Sequence, residues 1–142
     1  MLPIYKTGDD QKGIKANAEE LYRKLKEAGI RVHLDDREKK TPGEKFNEWE
    51  LKGVPMRLEL GPKDFQNKEV RCVKRNDGKK MQLSQDGLAD SLKDKMTQIH
   101  DEMYNKALQS RQQKMKTVDN WADFMSSVQD RCIVMAPWCN CK

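Results

Sequence analysis

Residues 34–64 read LDDREKKTPGEKFNEWELKGVPMRLELGPKD, and this stretch decides the fold. Thr41, Pro42 and Gly43 interrupt the charged run; Thr41 is a fair helix N-cap, and Pro42 is accepted in a first turn. A helix over about 44–52 follows, with Phe46 and Glu50 four apart on one face. Gly53 closes it, and Val54-Pro55 leads into a strand, Met56 to Leu60. Strict alternation points Met56, Leu58 and Leu60 one way and Arg57 and Glu59 the other. Gly61-Pro62 ends the strand and presents Lys63. An aromatic (Phe46), a carboxylate (Glu50), a guanidinium (Arg57) and an ammonium (Lys63) are therefore expected to converge at one helix–strand corner.

Working outward toward the N-terminus, Ile30 to Leu34 reads as a strand. Before it, Ile14, Ala18, Leu21, Leu25 and Ala28 recur at steps of three and four, an amphipathic helix with Gly29 as its C′ residue. Thr7, Asp9 or Asp10 can cap that helix, and Leu2 to Lys6 reads as a strand. Strand–helix–strand in about thirty residues is the length of a parallel crossover unit. Toward the C-terminus, Val70–Arg75 and Lys79–Leu83 alternate around Asn76-Asp77-Gly78, a strong hairpin signal. The class is α/β, and the antiparallel hairpin makes the sheet mixed rather than doubly wound. Leu88, Leu92, Met96, Ile99, Met103 and Ala107 then define a long helix over about 87–115. Asp119 or Asn120 caps a further helix holding Trp121 and Phe124, and Cys132–Ala136 is strand-like. Two bodies are expected, an α/β domain over 1–86 and a helical extension over 87–142.

Of 142 residues, 36% are hydrophobic and 36% charged, which allows a modest core under a wet surface. No apolar run is long enough for a transmembrane helix, and no secretory signal opens the sequence. Met1 stands directly before a strand-like segment, as in a chain cut from a longer one. The net charge of +5 suits a polyanion weakly; its distribution says more. The excess lies in Lys68, Arg71, Lys74, Arg75, Lys79 and Lys80, and again in Lys106, Arg111, Lys114 and Lys116. Solvated helix and hairpin faces produce the same pattern. Cys72 and Cys132 read as small buried apolar residues, whereas Cys139 and Cys141, one residue apart, have poor chelate spacing.

Catalysis finds little support. His100-Asp101-Glu102 lacks the second histidine of a zinc protease helix, and no Gly-rich phosphate loop or nucleophile elbow occurs. A small metal-dependent enzyme fails for want of ligands. The corner residues suit guanine better: a carboxylate accepts from its N1–H and N2–H₂ donors, Arg or Lys donates to O6 or N7, and an aromatic ring stacks the base. The same residues also suit a bland reading, with Phe46 and Trp49 in the core and Glu50–Arg57 a salt bridge across a helix–strand joint; Trp49 is expected in the core on either reading, since a helix packed on a sheet needs a large buried side chain.

The run His33–Asp64, HLDDREKKTPGEKFNEWELKGVPMRLELGPKD, resembles the anticodon-binding domain of the class II prolyl-tRNA synthetases of the archaeal and eukaryotic type. The likeness runs in order from LPIYKTGDDQ to the cysteine-bearing end, nearly the whole chain. It implies a five-stranded mixed sheet flanked by three helices, then the truncated beginning of a C-terminal zinc-binding domain. It implies that Phe46, Glu50, Arg57 and Lys63 read the two guanines of the proline anticodon, with Arg37 as a supporting or phosphate contact. Cys139 then fits the first ligand of a zinc site that this chain leaves partial, with no zinc expected to bind. The parent would be a cytoplasmic homodimer that attaches proline to tRNA(Pro), using ATP, magnesium and a structural zinc; the fragment itself would be non-catalytic and need no cofactor. The alternative is a stand-alone module of the same fold, acting as a protein-interaction or accessory subunit.

Overall fold

The computed structural model describes residues 1–5 and 11–138. They divide into two units, Met1–Ile99 and His100–Lys142. The first unit holds a four-stranded sheet in the order β1 (Leu2–Pro3), β2 (Met56–Leu60), β3 (Glu69–Lys74) and β4 (Lys80–Ser84). β1 runs parallel to β2, and the other neighbours are antiparallel, so the sheet is mixed. Its helices are α1 (Gln11–Glu27), α2 (Pro42–Leu51), the one-turn α3 (Pro62–Gln66) and the first part of α4 (Leu88–Lys114).

The alternation read in β2 holds and extends across the sheet. Leu58, Leu60, Val70 and Cys72 occupy one face and are buried with Ile14, Ala18, Leu21 and Leu25 of α1 and Leu88 and Leu92 of α4. Register places Arg57 opposite Val73 and Glu59 opposite Arg71, so these residues share the other face. One face is thus the core, and the other is largely polar. Cys72 is fully buried, as its place in the alternation indicated, and burial pushes its thiol pKa up to about 11.

Two expectations about the sheet are corrected. It has four strands rather than five, because 30–35 does not form a ladder. That segment meets the N-terminus at Met1, whose amino group donates to the His33 carbonyl at 2.6 Å and whose carbonyl accepts from the Asp35 amide at 2.9 Å. β1 is two residues long and its second residue, Pro3, has no N–H to continue the pairing. Nor is Gly61-Pro62 a plain loop: it opens α3, giving one helix more than expected around the sheet. Asp64 Oδ2 accepts from the Gly61 amide at 3.0 Å and closes that turn.

In the second unit, β5 (Met115–Thr117) pairs in parallel with β6 (Ile133–Met135) across α5 (Trp121–Gln129). β5 was not foreseen, since the helical spacing ran on to Met115. Asn120 is the N-cap of α5, its Oδ1 accepting from the Asp123 amide at 2.9 Å. Cys132 precedes β6 and is half-buried, not enclosed as expected. The cap candidates Thr7, Asp9 and Asp10, and Cys139 and Cys141, lie outside the described residues. No described helix is long and apolar enough to cross a membrane.

Candidate nucleic-acid interface

α2 carries the site, and its ends are fixed locally. Thr41 is the N-cap: its amide donates to Glu44 Oε2 at 2.7 Å while its own hydroxyl oxygen accepts from the Glu44 amide at 3.4 Å. Pro42 occupies the first turn, as read from the sequence. At the other end Gly53 adopts φ +78°, a conformation any L side chain would strain, and its amide donates to the Glu50 carbonyl. The chain can therefore turn straight from α2 into β2.

Helical spacing gives α2 two adjacent polar faces. Phe46 and Glu50 lie on one, and both meet Arg57 of β2. Arg57 Nη1 donates to Glu50 Oε1 at 2.6 Å, and its Cζ stands 3.9 Å from the centroid of the Phe46 ring. Arg57 Nε donates to Glu59 Oε1 at 2.8 Å. Glu59 was seen in the sequence only as pointing with Arg57; being two apart on one strand face is what lets them pair. Arg57 and Glu59 are mostly buried, whereas Glu50 is half exposed. The corner therefore holds one guanidinium between two carboxylates, one negative charge in excess. Phe46, Glu50 and Arg57 line a cavity of about 150 Å³ together with Trp49, Val73 and Arg75.

Lys45, Glu48 and Trp49 occupy the other face and meet Asp35 and Arg37. Asp35 is only 1% exposed. Its carboxylate accepts from Arg37 Nε at 2.8 Å, Arg37 Nη2 at 2.6 Å and Trp49 Nε1 at 2.8 Å. Lys45 Nζ donates to the Asp35 carbonyl at 3.3 Å. Arg37 Nη2 also reaches Glu48 Oε2 at 2.9 Å. The Arg37 bonds, with help from Trp49 and Lys45, hold the Asp35 carboxyl far below the usual carboxylate range. Lys40, Lys52 and Arg37 together lower Glu48 to about 2. Trp49 is thus not the enclosed core residue expected. It is half-buried because its indole N–H is spent on Asp35 and its ring lies against His33, centroids 4.6 Å apart.

The expected convergence of four residues is a convergence of three. Lys63 is exposed on α3, beyond the far end of β2, and does not line the cavity. From Arg57 to Leu60 alone the strand advances about 10 Å. Arg37 is brought to α2, but by a different pair of carboxylates. The hub that sequence reasoning missed is Asp35, whose Oδ1 also accepts from the Arg37 amide at 3.3 Å. Nothing local announces that an indole fourteen residues later will join it. Among the described residues no group of three or more His, Cys, Asp or Glu side chains is placed to hold a metal ion.

A family model described as "Anticodon binding domain" matches residues 2–95. The chain is 39% identical over 131 residues to a proline--tRNA ligase of Encephalitozoon cuniculi, covering 92% of this chain and 26% of that protein. It is 38% identical over 116 residues to the cytoplasmic proline--tRNA ligase of Arabidopsis thaliana, covering 82% of this chain and 22% of that one. The crystal structure of the Cryptosporidium parvum prolyl-tRNA synthetase with L-proline and AMP superimposes with a TM-score of 0.91 at 33% identity. That match covers 97% of this chain and 30% of the other. The chain thus spans about a quarter of the length of the relatives it matches.

Proposed function

The chain belongs to the anticodon-binding domain family, and from that premise we propose that it is the anticodon-recognition region of a proline--tRNA ligase. Residues 1–86 would form the reading domain, and 87–142 a helical extension and the beginning of a C-terminal zinc-binding-like domain. The parent would join proline to tRNA(Pro) through an ATP-dependent adenylate, with magnesium, in a catalytic region outside this chain. It would act as a cytoplasmic homodimer and complete a zinc site that begins at Cys139. The fragment would only grip the anticodon loop and so place the acceptor end for the parent's catalytic region.

The observation that carries this reading is the Phe46–Arg57–Glu50 contact. Phe46 offers a stacking surface for a base splayed from a single-stranded loop. The Arg57 bond uses Oε1 of half-exposed Glu50, and Oε2 is available to accept from guanine N1–H or N2–H₂. Arg57 can donate to O6 or N7 of the same base. Lys63, on α3 beyond the far end of β2, would meet the second guanine, so that the two are read at separate points. Arg37, held by Asp35 and Glu48, would support α2 and touch the backbone at most.

Titrating the 142-residue chain with proline-anticodon stem-loops tests this. A preference of at least about tenfold for the loop bearing both guanines over loops with either replaced is expected. Equal affinity for all of them would remove the assignment.

A further inference from the structure

The reading corner has a charge problem that the rest of the sheet resolves. With Arg57 facing both Glu50 and Glu59, its net charge is negative, and it repels the phosphates on either side of any base it accepts. The affinity must come from cations nearby. Six basic residues crowd the β3–β4 hairpin region, and the structure sorts them. Lys74 lies on the Cys72 face of the sheet and pairs with Asp77 at 3.5 Å, and Lys79 meets the same carboxylate at 3.7 Å. Lys68 sits in the turn between α3 and β3 with φ 52°. The remaining three fall together.

Val73 is the centre of that group. Register sets Arg57 opposite it on β2 and Lys80 opposite it on β4, so the three make one row across the polar face. Arg71 and Arg75 stand two residues to either side of Val73 on the same face, each about 7 Å along the strand. The Arg75 amide donates to the Pro55 carbonyl at 3.0 Å and continues the pairing beyond Lys74, which keeps Arg75 in register. Arg75 and Lys80 are exposed, and Arg75 lines the cavity that Phe46, Glu50 and Arg57 line. Glu59, the acid opposite Arg71, is already engaged by Arg57 Nε. None of the three cations takes part in the ion pairs that fix Arg37 and Arg57.

We infer that Arg71, Arg75 and Lys80 form a phosphodiester-binding face that grips the RNA backbone beside the base held at Phe46, Glu50 and Arg57. The inference rests on the reading above as to the RNA, but it is separable from base recognition. Backbone neutralisation carries no sequence information, whereas it sets the dependence of affinity on salt. A single-stranded phosphate contact contributes about 0.7 to the slope of log affinity against log salt.

The test is a salt titration of the whole chain with the guanine-bearing and guanine-substituted stem-loops, from about 50 to 200 mM salt. The triple variant Arg71→Gln, Arg75→Gln, Lys80→Gln should lower the slope by about 2 and weaken both loops tenfold or more at low salt, by the same factor. Arg71→Lys with Arg75→Lys should retain the slope, which separates charge from any fault in folding. An unchanged slope in the triple variant, or a loss confined to the guanine-bearing loop, overturns the phosphate assignment. Wild-type protein that binds both loops equally, with the slope still falling in the variant, overturns base reading and leaves the phosphate face standing.

Discussion

Two arginines flank α2, each held by two carboxylates, and they do opposite things. Arg37 grips Asp35 through two nitrogens, and that carboxylate is buried and also bonded by an indole N–H. Every strong acceptor there is used, and the result is a clamp that ties the 35–37 turn to α2. Arg57 holds Glu50 through one nitrogen and lies over Phe46, with half of Glu50 in solvent and a cavity alongside. What distinguishes them is not the ion-pair chemistry but the acceptor and stacking capacity left over. The first cluster is closed; the second is open to a planar polar ligand.

The sharpest way to break that contrast is to open the closed cluster. Asp35→Ala strands the Trp49 indole N–H and leaves Lys45, only 7% exposed, beside a lost carboxylate. A loss of roughly 2–4 kcal/mol in urea unfolding is expected, with Arg37 itself relieved by water. A change below about 0.5 kcal/mol would mean that the clamp is ornamental.

Acid should open the same cluster, by less than deletion does. Asp35 and Glu48 both have folded-state pKa values lowered from the usual 3.8 and 4.5, Glu48 to about 2. A lowered carboxylate stabilises the fold fully above its unfolded value and loses that contribution as pH falls through its folded one. Stability should therefore decline from about pH 4.5 through pH 2, with Asp35 continuing to lose below that. In Glu48→Gln the decline between those values should flatten, as read by unfolding at a series of pH values.

Emptying the open cluster should remove discrimination, and it should also weaken the fold, because Glu59, 8% exposed, loses its guanidinium partner. Arg57→Ala is expected to cost about 1–3 kcal/mol of preference for the guanine-bearing loop, since one charged base contact is lost. Unchanged selectivity in that variant would assign Arg57 to structure after all and erase the contrast with Arg37. The smallest effect concerns the frame the two clusters share. Thr41→Ala removes the N-cap acceptor of α2 and should cost about 0.5–1 kcal/mol, the long 3.4 Å bond placing it at the low end. It should lower thermal stability without altering the ratio of the two loops' affinities.

The sequence by itself determined the α/β class, the hairpin, the extent of α1 and α4, and the alternation that puts Arg57 and Glu59 on one face of β2. These rest on periodicity, caps and turn residues, which act within a few positions of one another. It also brought Phe46, Glu50 and Arg57 together, because a helix stopped by Gly53 and followed at once by a strand leaves little freedom between them. Only the tertiary structure decided that Lys63 stands apart, that 30–35 stays outside the sheet, and that Asp35 rather than Trp49 is the enclosed anchor of α2. Strand register likewise placed Arg71, Arg75 and Lys80 on the sheet face that carries Arg57. Those outcomes depend on which segments meet across many residues of chain, and spacing along the chain carries no record of that.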